Sequence, residues 1–268
     1  MNDPKVILAP LIVMAAMLVW RTTYESQCVS LAIPLLVIAI IGYQTAQLAL
    51  YRRRSFADCV FNVGSPLHRL YHRAALSVLL AVLLSVVAGL SLMLNVLSWS
   101  VPVLLLLAFD GFLLAAATPG GVRMLNNHLR PAIAGTASRS LLASVNALLL
   151  LPPLLALQYF SPFPPFLDQA SLPNTIVQAY EALGSQCMAT NLVVKFHAAK
   201  EGLAWWLTLR ASMELSDPTY RWAAWTLFLL SGSLSVWAYS KLVVQVADFA
   251  AQGDRHNGVS RADNESTS

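Results

Sequence analysis

The chain has 268 residues, of which 57% are hydrophobic and 11% charged, with 17 Lys and Arg against 13 Asp and Glu. Mean hydropathy is +0.62. This balance excludes an ordinary soluble domain, because a water-soluble core can hide one or two wholly apolar helices but not five or six. The net charge of +4 is concentrated in short stretches between apolar runs, a pattern that sets membrane topology and gives no reason to predict nucleic-acid binding.

The first apolar run, Pro4 to Trp20, leads into Arg21-Thr22-Thr23-Tyr24-Glu25, which lacks a small-x-small cleavage pattern, so it reads as a retained anchor. The second, Leu31 to Leu50, stops before Tyr51-Arg52-Arg53-Arg54. Five arginines and one aspartate lie between Arg52 and Arg73, and three arginines with no acid lie between Pro119 and Arg139. Both segments are expected in the cytoplasm under the positive-inside rule, together with the N-terminus. Between them, Ala74–Leu97 and Val101–Ala117 form an expected hairpin turning outside near Leu97 to Pro102.

A fifth span runs outward from Arg139 toward Tyr159, and Pro152-Pro153 is expected to bend or interrupt its outer half. Ser161-Pro162-Phe163-Pro164-Pro165-Phe166 reads as a rigid turn. From Asn174 to Tyr220 the apolar content is broken by Glu181, Lys195, Lys200, Glu201, Arg210 and Glu214. Two readings stand here: extracytoplasmic or interfacial helices, or a crossing by Thr175–Val194 that leaves His197 inside. The last run, Trp222–Val246, is a further span, and the polar stretch after Gln252 reads as disordered. The expectation is an all-α, polytopic transmembrane helix bundle of six spans. Residues 1–251 make one membrane domain, with an interfacial or extracytoplasmic segment at 160–220 and a polar tail at 252–268.

Asp110 is the sharpest single signal, an acid near the centre of an apolar run where ionisation without a partner is costly. Gly111 beside it permits close backbone approach. Asn146 in the next run lies at a comparable depth, and Asn95 lies nearer the other end of its own helix; the three are the candidate intramembrane polar site. A carboxyl that accepts and releases a proton there would serve transport, whereas a neutral, hydrogen-bonded one would only lock helices together. Gln44, Gln47, Glu181, Lys195, Lys200 and Arg210 are candidate interface or substrate contacts. Trp205 and Trp206 are expected at the headgroups, and Ser231-Gly232-Ser233 with Ser235 reads as a patch for close helix packing.

His68 and His72, four apart before the third span, are the candidate metal pair, but the reading preferred for them is a cytoplasmic interface. Cys28, Cys59 and Cys187 contain no Cys-x-x-Cys pair and are expected to be free; Cys28 and Cys187 share a compartment if six spans hold. No phosphate loop, dinucleotide fingerprint or nucleophile elbow is present, so no cofactor is predicted and a catalytic site would have to be distributed. The expected function is a permease-like protein or membrane subunit of a transport or secretion complex in a bacterial inner or plasma membrane. A non-transporting assembly or scaffold protein and an intramembrane enzyme are the alternatives. Expected partners are membrane lipids and other proteins or a second copy of the chain.

Overall fold

The computed structural model describes residues 4–25, 28–62, 65, 75–126, 128, 131–160, 171–213 and 232–250. Every regular element among them is helical: α1 (Pro4–Thr23), a short 3-10 turn (Cys28–Leu31), α2 (Ala32–Val60), α3 (Ala75–Ser98), α4 (Val101–Asn126), α5 (Pro131–Tyr159), α6 (Leu172–Ala182) and α7 (Met188–Met213). Residues 232–250 form a last helix, α8. The segments Cys28–Arg54, Ala75–Ser98, Val101–Leu125 and Gly135–Leu157 are four apolar helices long enough to cross a membrane, and α1 contributes a shorter apolar stretch, Leu8–Thr23. At 1.5 Å per residue, about 20 residues cover the roughly 30 Å of hydrocarbon. The protein is therefore an all-α, multi-span membrane bundle.

Along α3, residue size separates the two faces. On α3 the inward side is Ala81, Ser85, Ala88, Gly89 and Leu92, while Leu79, Leu80, Leu83, Leu84 and Val87 are exposed. Small inward residues let backbones approach, which matters in lipid because burying apolar surface there gains nothing over contact with acyl chains. A Cβ added at Gly89 would stand 2.6 Å from Ile38 Cγ1, and one at Gly42 would stand 3.7 Å from Ser85 Cβ, so α2 and α3 interlock along these small positions.

α2 runs on through Tyr51 and the three arginines to Val60, and the chain turns extended at Phe61. Nothing between Leu50 and Val60 breaks a helix, so the change from apolar to basic marks a change of solvent, not of backbone. α5 likewise continues through Pro152 and Pro153 to Tyr159, so of the expected bend or interruption, the interruption does not occur. Leu150 and Leu154 on either side are buried in the core, and their packing holds the helix where two backbone donors are missing. The two-residue link Trp99-Ser100 makes the expected α3–α4 hairpin.

One end of the bundle gathers Arg52–Arg54, the start of α3 and the α4–α5 connection; the other gathers the end of α1, the α3–α4 hairpin and the residues between α6 and α7. At this second end Cys28 and Cys187 form a disulfide with a Cα–Cα distance of 5.1 Å, correcting the expectation that they are free. Ser185 Oγ donates to the Tyr24 carbonyl (2.5 Å), and the Gln186 amide donates to the Glu25 carbonyl (2.9 Å). Arg21 reaches the Trp99 carbonyl at 2.7 Å. Thr175–Val194 is not one continuous helix: α6 ends at Ala182 and α7 begins at Met188, with the turn between them tied to α1. Gly202 seats α7 against α6: a Cβ there would meet Ala179 Cβ at 2.8 Å.

The core is organised around α8, where Ser235, Val236 and every residue from Ala238 to Gln245 are buried. Gly111 on α4 makes that position possible. A Cβ at Gly111 would lie 2.5 Å from the Tyr239 hydroxyl and 3.1 Å from Pro10 Cβ, whereas one at Gly232 would meet nothing within 4 Å among the described residues. Of the small-residue patch read from the sequence, Gly232 is thus not a close-packing position. Gly111→Ala should lower stability by about 1–3 kcal/mol through overpacking, and Gly232→Ala should leave it unchanged; thermal unfolding of the two purified variants beside the parent checks the contrast.

Candidate functional site

In a hydrocarbon setting each polar side chain needs a partner within the protein. α8 carries Ser235, Tyr239, Ser240, Lys241, Gln245 and Asp248, and the neighbouring helices meet them in tiers. Nearest the disulfide end, Asn95 Nδ2 donates to Ser235 Oγ at 2.5 Å and to its own helix at the Ser91 carbonyl at 2.7 Å. The Ser91 and Ser235 hydroxyls lie 2.9 Å apart. Below them, Tyr239 donates its hydroxyl to the Leu107 carbonyl.

The middle tier contains the acid. Asn146 Nδ2 donates to Asp110 Oδ2 at 3.0 Å and to Ser240 Oγ at 3.1 Å, so one amide joins α4, α5 and α8. Asp110 is half-buried. Among the described residues its carboxyl accepts a side-chain hydrogen bond from the Asn146 amide, and no basic side chain is paired with it. A carboxyl with a single neutral donor can change protonation state without breaking an ion pair, unlike the third tier, where Arg139 pairs with Asp248.

The structure brings Asp110 and Asn146 together and keeps Asn95 in a separate tier. Gln44 is 2% exposed with neither amide atom hydrogen-bonded, while Gln47 is half-buried. Glu181 is exposed on α6. Lys195 stacks over the Tyr180 ring at 4.7 Å. The Arg210 side chain, His68, His72, the proline-rich turn, the first part of Trp222–Val246 and the tail lie outside the described residues. Among the described residues no group of three or more His, Cys, Asp or Glu could hold a metal ion.

Sequence reasoning passed over Tyr239, Ser240, Lys241, Arg139 and Asp248 as a set. A signal was present: polar residues at 235, 239 and 240, then 241, 245 and 248, recur on helical spacing over more than one face, which a lipid-facing helix does not tolerate.

A second buried cluster sits where α7 meets the end of α3. His197 Nε2 is 3.7 Å from Glu201 Oε2. Burial, then the Lys200 charge, lowers the His197 pKa to about 4. Burial raises the Glu201 carboxyl, against hydrogen bonds from Ser98 and Trp205 and the Lys200 charge. Lys200 is lowered by burial, partly offset by Glu201. Trp205 is 9% exposed, so it packs within the protein and does not anchor at headgroups as expected; its side-chain hydrogen bond is to Glu201.

Because the folded state holds His197 neutral, the unfolded chain binds the extra proton between the ordinary imidazole value of 6.5 and about 4. The stability this group contributes is full above that window and is lost as pH falls through it. Glu201 works in the opposite sense, losing stability as pH rises, so the two are separated by difference. Wild type minus His197→Gln should show a loss of up to about 3 kcal/mol on acidification, measured as unfolding of the α6–α7 hairpin by hydrogen exchange; a flat difference curve would contradict it. Comparison with protein-family models, with curated proteins and with solved structures finds no match for this chain.

Proposed function

We propose that the protein is a permease-like membrane protein, or the membrane subunit of a transport complex, in which Asp110 is a proton- or cation-responsive site. The observation that carries this reading is the middle tier: a half-buried carboxyl held by one neutral amide, which also holds Ser240 on the buried α8. Protonation or cation binding at Asp110 changes what Asn146 donates to, and Asn146 is the link between α4, α5 and α8. A charge change is thereby coupled to helix packing, which an alternating-access cycle needs.

The topology in this reading has six spans, α1 to α5 plus the helix ending at residue 250, with α6–α7 as a hairpin outside. Two independent arguments agree on orientation. Arginines favour the cytoplasm, and the Cys28–Cys187 disulfide favours an oxidising compartment at the opposite end. Both fit a bacterial inner or plasma membrane. Cys59 is a free, exposed cysteine at the arginine end. A membrane-impermeant maleimide should label it in inside-out vesicles and leave it unlabelled in right-side-out ones; the reverse pattern would overturn the orientation.

A non-transporting assembly protein is the second reading, favoured by the Asn95–Ser235 and Tyr239–Leu107 bonds, which tie helices together and contain no group that titrates near neutrality. Asp110→Asn separates the two. Transport predicts at least a tenfold loss of flux or of its pH dependence, about 1.4 kcal/mol, in proteoliposomes screened for ion-coupled uptake, with insertion and oligomer size unchanged. If flux persists while assembly fails, the scaffold reading replaces this one.

A further inference from the structure

Lys241 stands next to Ser240 on α8 yet belongs to a different environment. It is 1% exposed and among the largest fully buried side chains. Its ammonium lies 4.5 Å from the Trp237 ring centroid. Among the described residues no carboxylate pairs with it, and the charged group that acts on it electrostatically is Arg52, of the same sign. Arg139, the other cation deep in the bundle, has Asp248. A buried cation facing a like charge is among the costliest arrangements in a membrane core, and it persists where something else supplies the counter-charge.

The surroundings supply idle polar groups as well. Tyr43 on α2 meets Phe249 with ring centroids 6.4 Å apart, and Arg52 acts on Lys241. Both helices run toward the arginine end, and the Gly42–Ser85 and Ser91–Ser235 contacts through α3 set Lys241 at about the depth of Gly42. Gln44 lies two residues further along α2, 2% exposed, with neither Nε2 nor Oε1 hydrogen-bonded among the described residues. Leu48, one turn on from Gln44, is also buried, and Arg52 follows one turn later, so one face of α2 carries Gln44 at depth and Arg52 at its mouth. Gln245, four residues beyond Lys241 on α8, is 3% exposed with Oε1 unbonded. Buried amides left unbonded are rare because each costs about 1–3 kcal/mol, so two beside an unpaired ammonium call for a ligand.

We propose that Lys241, Arg52 and the Gln44 amide form an oxyanion site, entered from the arginine end, that takes a phosphate group. Two cations supply the charge that a phosphate carries, and Gln44 Nε2 supplies a neutral donor at a depth between them. The unbonded Gln245 carbonyl is suited to the P–OH of a monoprotonated phosphate. The group can arrive on a phospholipid head or as free phosphate. The inference rests on reading α8 as the lining of a transport path, and it names the transported or regulating species as an anion.

Binding is measured without flux, so failure of this site and failure of the Asp110 reading are seen separately. The full chain is purified in detergent and its thermal unfolding followed against inorganic phosphate, with chloride at equal ionic strength as control. In parallel, the protein is extracted from vesicles of phosphatidylcholine with or without phosphatidylglycerol, and retained lipid is read by native mass spectrometry. The expected result is a phosphate-specific rise in unfolding temperature, or selective retention of phosphatidylglycerol, that weakens at least about tenfold in Lys241→Met and is kept by Lys241→Arg. Gln44→Leu, which removes an unbonded amide without removing charge, should fold and bind more weakly, and it carries the test if Lys241→Met fails to fold. Retention of phosphatidylglycerol alone identifies a headgroup as the ligand, and a response to phosphate alone identifies a soluble anion. Identical responses to phosphate and chloride with no lipid preference, or responses that Lys241→Met and Gln44→Leu leave unchanged, would overturn the proposal.

Discussion

Hydrocarbon offers no hydrogen bonds, so a helix rich in polar side chains inside a membrane bundle has to be surrounded by other helices. α8 is such a helix, and the bundle is arranged to satisfy it. Tyr239 reaches the Leu107 carbonyl where Gly111 leaves room, Ser240 is held by Asn146, Ser235 by Asn95, and Asp248 by Arg139. α3 turns Ala81, Ser85, Ala88 and Gly89 toward its neighbours and leaves large aliphatic residues facing outward. Removal of α8 would strand polar groups on three of its neighbours at once, which is why its contacts, more than the apolar surface of the outer helices, define the native packing.

The disulfide end is built on a different principle. The α6–α7 hairpin is held by one covalent bond, two backbone-directed hydrogen bonds to the end of α1, and the seating of Val194, His197 and Trp205 against the protein. Here burial also forces unusual protonation, keeping His197 neutral well below its ordinary range. The hairpin is thus sensitive to acid and to reductant.

Much of this was legible in the residues. Long aliphatic runs identify spanning helices because their length is set by the bilayer, a constraint that packing does not override. Comparable depth made Asn146 a candidate partner for Asp110, but depth alone does not say whether two helix faces meet, and that depends on the packing. Centrality of α8 was harder to see, because hydropathy averages its polar residues away and only their spacing around the helix shows that no face is left for lipid. The break between α6 and α7 has a local signal in Gly184-Ser185, but charges along Asn174–Tyr220 made several topologies compatible with it. The Cys28–Cys187 pairing depends on tertiary approach across 159 residues, which spacing cannot reveal.

The central claim is that the buried polar face of α8 is a path for water and solute during function, and not only a set of bonds between helices. Single cysteines at Ser235, Ser240 and Gln245, and at the outward-facing Leu148 and Leu149, in a Cys59→Ser background, allow a direct measurement with a membrane-impermeant methanethiosulfonate reagent. The account predicts that the α8 positions react, that reaction from the two sides of the membrane is altered by protonation-mimicking Asp110→Asn, and that positions 148 and 149 stay inert. Uniform inertness along α8 from both sides, with the protein folded and inserted, would contradict it.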